Sequence, residues 1–359
     1  MQLEVWLVLG PDPKRPLVAH FGTPQGLGME TSRVTWPSDS LFSALVTQWA
    51  QLLNPGQLEQ RLQPFAQGHP PFLVTSLFPV VVHPCKGVLP FFPAPLKARR
   101  SRHPAEQEGD SPKTKELKRV TFVSLGLYRR LLRGETLGEV LQREPRLVKL
   151  HKGRVWLLPE EQALLPRAER LWVVEKRPRV TVGRVAAQST LFHVAAVHFH
   201  PRAGLWFGVQ WLVDDSQAQA QWKALLEQGL QELAHAGLGG DRNAGYGHAR
   251  IKPAEPLDLP DPATGRWVTT LSRYWPREEE VPLLQARGSA YTMEVVGGWI
   301  HGTSVRRKPV HMLAEAAVLP KAERLPLGRM EDVRPQLGDR TPPHPVYRYG
   351  YALAVGMAG

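Results

Sequence analysis

Gly237-Leu238-Gly239-Gly240-Asp241-Arg242-Asn243-Ala244-Gly245-Tyr246-Gly247-His248 lies between a helix-like run and a strand-like run. Glycine tolerates positive φ and carries no side chain, so such a backbone can bring its N–H groups close to a ligand. Arg242 and Asn243 add donors for phosphates or base edges, and Tyr246 adds an aromatic face. The loop lacks the Lys-Ser or Lys-Thr of a Walker loop. Its order of helix, glycines, strand is the reverse of a dinucleotide fingerprint. A helix C-cap at Gly237 followed by a glycine-rich turn is the plain structural reading. A grip on an RNA backbone is the functional one.

Upstream, Asp214, Asp215 and Ser216 offer N-caps for a helix over about 217–236. Trp222, Leu225, Leu226, Gly229, Leu230 and Leu233 form its expected buried stripe. Two strand-like runs precede it, Leu191–His200 and Leu205–Val213, read as a hairpin through Pro201–Gly204. Downstream, His248–Lys252 begins a strand. At the start of the chain, residues 1–9 alternate as a strand and a loop carries His20-Phe21-Gly22. Ser38 or Asp39 then caps a helix whose Phe42, Leu45, Val46, Trp49 and Leu53 share one face. This order predicts a βαββαβ ferredoxin-like unit, the topology of RNA-recognition motifs.

A segment of about 55–178 reads as an insertion into that unit, with short strands around Phe72–Val82 and helix over 120–150. Within it, 97–119 interleaves Lys97, Arg99, Arg100, Arg102, His103, Lys113, Lys115, Lys118 and Arg119 with Gly, Ser, Pro and Glu. That pattern predicts a mobile basic stretch. Leu171–Glu175 reads as a short strand, and Arg177–Arg184 is a second basic segment. The Pro/Asp-rich stretch 253–263 reads as a linker to a shorter unit with strands near 266–273, 290–297, 309–319 and 345–355. The expected fold class is α+β, with two ferredoxin-like domains, 1–254 and 255–359.

The chain has 359 residues and a formal net charge of +12, with a pI of about 10.0. That length allows two domains, each with its own core. The charge points to a polyanion: RNA, DNA or a membrane surface. No apolar run reaches the ~18 residues of a membrane span, and no signal-peptide pattern opens the chain. Cys85 is the only cysteine, which excludes a disulfide within the chain and argues against a cysteine zinc site. The histidines lack metal-ligand spacing. The reading is a cytoplasmic protein without metal, cofactor or membrane.

The motifs resemble a known family. Trp36-Pro37-Ser38-Asp39-Ser40-Leu41-Phe42-Ser43-Ala44-Leu45 is similar to the helix start of one RAMP subunit, the fourth subunit of the Csm complex. That complex is the subtype III-A CRISPR effector. His20-Phe21-Gly22, Arg179–Arg184, Gly237–Gly247, Gly297-Gly298, Arg306-Arg307-Lys308 and His344–Gly350 follow in the family's order, over nearly the whole chain. Val182-Gly183-Arg184 departs from the usual Ile-Asp-Arg run, and Ala314-Glu315-Ala316-Ala317 lacks a Gly-Ser. The resemblance implies a non-catalytic subunit that holds the repeat-derived 5′ tag of the CRISPR RNA. It also implies partners: the large polymerase/cyclase-like subunit and the backbone RAMP subunits.

A single-stranded tag is held by backbone donors, cations on phosphates and aromatic platforms. The candidate RNA-binding residues are Gly239, Gly240, Arg242, Asn243, Gly245, Tyr246 and Gly247, then Arg179 and Arg184, then Gly298, Arg306, Arg307 and Lys308. His20 sits in a loop where it could meet a base or ribose. Ser38 could assist a phosphate at its helix N-terminus, where Asp39 would repel one. An endoribonuclease of the RAMP class is the rival reading, with His20 as base and Arg242 or Lys252 as the cation. A tag-binding subunit of a subtype III-B complex, or an RNA-binding module outside CRISPR systems, are further alternatives.

Overall fold

The structure, a computed structural model, describes residues 1–23, 29–99, 112–182, 189–300, 302–338, 341–342 and 344–358. The first strand, Gln2–Leu9, lies between Arg250–Asp258 and Ala203–Trp211 and runs antiparallel to both. Ala203–Trp211 also pairs with Phe72–Val74 and Phe78–His83. Counted along the chain, this central sheet has the order four, one, three, two, which is ferredoxin-like. Two helices, Ser38–Leu52 and Ser216–Ala236, pack on each other beside it.

Local chemistry explains both helices. Asp215 caps the longer one by accepting the Ala218 N–H at 2.6 Å. Its buried residues are the six expected, Trp222, Leu225, Leu226, Gly229, Leu230 and Leu233. In the shorter helix Leu41, Phe42, Leu45 and Trp49 are buried, and the Trp49 indole donates to the Leu225 carbonyl at 3.0 Å. Each such side chain contributes roughly 1.5–3 kcal/mol on leaving water. Pro37, not Ser38 or Asp39, is the N-cap residue. Those two lie inside the first turn and are fully buried.

The sheet corrects the expected strand assignment. Its second strand comes from Phe72–Val74 and Phe78–His83, not from Leu191–His200. Ser189–Phe199 pairs with Trp172–Val182 in a separate long hairpin, with Val18–Ala19 along its side. The chain does turn at His200–Ala203, but the flanking strands are not paired with each other. Gly87–Pro93, Phe122–Ser124, Val155–Leu157 and Val148–Leu150 extend the principal sheet outward. Much of 55–178 is therefore continuous with the core. The helix read over 120–150 is two short ones, Leu125–Leu132 and Leu137–Arg143. Arg100, Arg102 and His103 lie outside the described residues, whereas Pro112–Arg119 is helical with Leu117 buried.

The strand Arg250–Asp258 crosses the expected boundary at 254/255. Beyond it, Trp267–Thr270 lies between Val318–Pro320 and Ala354–Met357. Two further hairpins are Met293–Val296 with Val310–Leu313 and Met330–Asp332 with Tyr347–Tyr349. The α-helix described in this half is Val281–Gln285. The halves do not have wholly separate cores. Tyr349 stacks on Phe42 at 4.6 Å between centroids, and its hydroxyl accepts the Val74 N–H at 3.2 Å. Leu271, Val318, Leu353, Val355 and Met357 belong to the same buried cluster as the first strand. Among the described residues, no helix is long and apolar enough to cross a membrane.

Candidate nucleic-acid interface

Gly237 ends the long helix with φ 84°, its N–H bonded to the Leu233 carbonyl at 2.9 Å. The loop then folds back onto the segment Val18–His20. A Cβ on Gly239 would stand 2.3 Å from the His20 carbonyl oxygen, and one on Gly247 would stand 2.0 Å from that of Leu238. Side chains are excluded there by the backbone itself. The amides are used internally. Gly240 N–H donates to His20 O at 2.9 Å, Gly247 N–H to Val18 O at 2.7 Å, and Gly245 N–H to Arg242 O at 2.9 Å. The expectation that these three amides face a phosphate is therefore corrected: they hold the loop's own shape.

Several other expected contacts are structural. Arg179 grips Asp241 with both Nη atoms, at 3.0 and 2.7 Å, and lies over the Tyr246 ring at 5.6 Å. Its charge thus locks the loop. Tyr246 is buried beside Val194 and Ala196, so it offers no free stacking face. His20 is 5 % exposed, and its Nδ1–H donates to the Ala195 carbonyl at 2.7 Å. Ser38 is inaccessible: its hydroxyl accepts the Arg273 N–H at 3.0 Å, and its own N–H donates to Ser76 Oγ at 2.9 Å. Asn243 and Lys308 are exposed. Arg184 lies outside the described residues.

The structure does bring four of the candidates to one place. Gly239 and Arg242 from the glycine loop, with Gly298 and Arg307 from the other half, line a cavity of about 240 Å3. Its floor is the polar face of the helix Ser38–Leu52, with Ser40, Ser43, Thr47 and Gln48. Arg307 Nη2 donates to Ser43 Oγ at 2.7 Å. Among the described residues neither Arg242 nor Arg307 has a carboxylate partner. Burial lowers the Arg307 pKa to about 10, with repulsion from Arg348 adding to the fall and attraction to Asp39 opposing it. A half-buried guanidinium with no carboxylate in hydrogen-bond reach is stabilised by an incoming anion.

The cavity wall is held by ions that sequence reading did not connect. Arg348 Nη2 donates to the Gly297 carbonyl at 2.7 Å, while Arg307 N–H takes that of Gly298 at 2.9 Å. Asp39 accepts from Arg348 and Arg273, and Arg273 continues to Glu294 at 2.7 Å and thence to Arg33. Among the described residues, no cluster of three or more His, Cys, Asp or Glu could hold a metal ion.

Residues 263–357, which supply Gly297, Gly298, Arg307 and Arg348, match the family of the CRISPR Csm4 C-terminal domain. This part of the chain is similar to Csm4 C-terminal domains. The whole chain is similar to a solved Csm3–Csm4 subcomplex of the type III-A CRISPR–Cas interference complex. The identity is 17 %, the TM-score 0.64, and 99 % of each chain is covered. It is also similar to a Csm1–Csm4 cassette in complex with pppApA, at 15 % identity and TM-score 0.55, over 99 % of this chain and 98 % of that one. The same cassette with cA4 gives 16 % and 0.54 over the same shares. At these identities the likeness establishes the Csm4 fold. No curated protein matches the sequence.

The matched region thus contributes five of the fourteen lining residues, and two of them, Arg348 and Trp299, escaped sequence reading as site residues. Arg348 lies in an aromatic tail, Val346-Tyr347-Arg348-Tyr349, whose period does not single out the cation. Trp299 follows Gly297-Gly298 and also lines the cavity. One aromatic after two glycines carries no pattern.

Proposed function

We propose that this chain is the Csm4 subunit of a type III-A CRISPR effector complex and holds the repeat-derived 5′ tag of the crRNA. The observation that carries the reading is the cavity between the two halves, where Arg242 and Arg307 face a polar helix without a carboxylate partner. Phosphates of a single strand satisfy such cations, and the net charge of +12 draws the polyanion in. In this reading the chain also docks the large polymerase/cyclase-like subunit and the backbone RAMP subunits. Solved relatives in complexes named for Csm3 and Csm1 support that part. The division into two ferredoxin-like domains belongs to the same proposal, with the divide after Asp258. A complex of this kind works on RNA in the cytoplasm.

The chain itself is non-catalytic in this proposal. The rival endoribonuclease needs His20 at a ribose 2′-OH, yet His20 is 5 % exposed. Purification of the tagged chain from its host tests the reading, with sequencing of bound RNA 5′ ends and mass spectrometry of partners. RNAs that share one short 5′ sequence before diverse spacers, with a large polymerase-like partner, support it. Repeat RNA cut to a uniform product by the chain alone, with activity lost in His20→Ala, overturns it. Arg307→Ala should weaken RNA binding by about 1–3 kcal/mol and reduce the salt slope by about one unit.

A further inference from the structure

We infer that Trp299 is a stacking platform for one unpaired base of the bound RNA, braced from behind by Arg306. The inference rests on the RNA-binding reading of the cavity and adds a base contact to it. All eleven tryptophans are described, and Trp299 alone is exposed, at 56 %. Two backbone bonds set its place. Arg307 N–H donates to the Gly298 carbonyl and Ile300 N–H to the Val305 carbonyl, each at 2.9 Å. This ladder pairs Trp299 with Arg306 across a bridge.

The Arg306 guanidinium then lies 4.6 Å from the indole centroid. One face of the ring is covered by a cation, which fixes its orientation. The ring borders the same cavity as Arg242, Arg307 and Ser43. A volume of about 240 Å3 suits a group the size of one nucleotide rather than a folded element. A base on Trp299 brings its own phosphate toward the two unpaired guanidiniums. The neighbourhood favours nucleic acid over a protein partner: interface cores that bury a tryptophan are depleted in charge, whereas this one is bordered by arginines and hydroxyls. Stacking reads no base edge, so the site holds a nucleotide of any identity at one fixed position.

The test uses the whole chain and a short fluorescein-labelled single-stranded RNA of mixed sequence, read by anisotropy at constant salt. A set of the same RNA carries one abasic nucleotide at each position in turn. Trp299→Ala should weaken binding about 5- to 100-fold, and Trp299→Phe should recover most of the loss. One abasic position should weaken binding by the unchanged chain and have no further effect on Trp299→Ala. Circular dichroism checks that each variant is folded. If Trp299→Ala binds like the unchanged chain while Arg307→Ala is impaired, the platform is wrong and the RNA-binding reading stands. If neither variant differs, or the unchanged chain does not bind, both readings fall. If Trp299→Ala keeps its RNA affinity but loses a co-purifying subunit, the residue is a protein contact and the inference is overturned.

Discussion

Arg348 donates to the carboxylate of Asp39 at 2.5 Å, across a sequence separation of 309 residues. Arg273 takes the other oxygen at 2.9 Å, and all three side chains are almost wholly buried. Removing the acid leaves two guanidiniums in a dry site. Asp39→Ala should therefore cost about 3–5 kcal/mol of stability, read from denaturant unfolding. A change within experimental error would show that water reaches these arginines.

The same acid gives a pH dependence. Burial alone would raise the Asp39 pKa, but Arg273 and Arg348 outweigh it and hold the carboxyl below its ordinary value of 3.8. Its stabilisation is thus fully present above pH 3.8 and is lost as pH falls through the lower folded value. The stability gap between the unchanged chain and Asp39→Asn should be constant near neutrality and narrow below pH 3.8. A gap that stays constant into strong acid would mean that the ionised form contributes nothing.

His151 gives a dependence in a different window. It stacks on Trp172 at 3.8 Å, and its Nε2 accepts the Leu171 N–H at 2.9 Å, which requires the neutral ring. Burial lowers its pKa from 6.5 to about 4, helped by Arg170 and Arg154. The unfolded chain binds this proton first, so stability falls as pH drops from 6.5 toward 4. His151→Gln keeps an acceptor but cannot titrate, and should flatten thermal stability over that window.

The glycine loop predicts an asymmetry between neighbours. Gly245 has φ 85° but open space around a Cβ, so Gly245→Ala should cost about 1–2 kcal/mol from the left-handed backbone alone. Gly247 combines φ 78° with a backbone oxygen 2.0 Å from the added Cβ. Gly247→Ala should cost distinctly more and should disturb the amide resonances of Val18 and Leu238. Equal costs would show that the loop can shift away.

Arg179 and Arg307 should separate in their salt response. Arg179 is paired with Asp241, so Arg179→Ala should lower stability by ~1 kcal/mol and leave the salt slope of RNA binding intact. A slope reduced as far as in Arg307→Ala would mean that Arg179 leaves Asp241 to meet a phosphate.

Helix Ser216–Ala236 was legible because its signals are local: a capping Asp215, a 3.6-residue stripe and a terminal glycine. The sheet's second strand was read only as short strands around Phe72–Val82, not as a partner of Ala203–Trp211. Phe72–Val74 and Phe78–His83 are short, apolar on both faces and interrupted by Pro79, so no alternation marks them. Trp172–Val182 hid its length behind Pro178 and alternating charges, tolerable because it pairs on one side. In the site, residue type disclosed the cations Arg242 and Arg307. The burial of Ser38, His20 and Tyr246 is set by segments more than thirty residues away, which no local pattern discloses.

The aromatic seam between the halves has a consequence for how the chain is made. Phe42, Phe65 and Phe72 leave the ribosome early, while Tyr349, which packs on Phe42 and Phe65, comes some three hundred residues later. Until then those rings and the Val74 amide lack part of their cover, and Asp39 lacks Arg348, one of its two cations. A nascent chain stopped before Tyr347 exposes a sticky apolar face and leaves Asp39 with one cation of its two, a surface that holdase chaperones and proteases engage. Arg348, which holds the Gly297 carbonyl at the cavity wall, is missing from that product too, so the RNA cavity lacks this brace until the last residues are made.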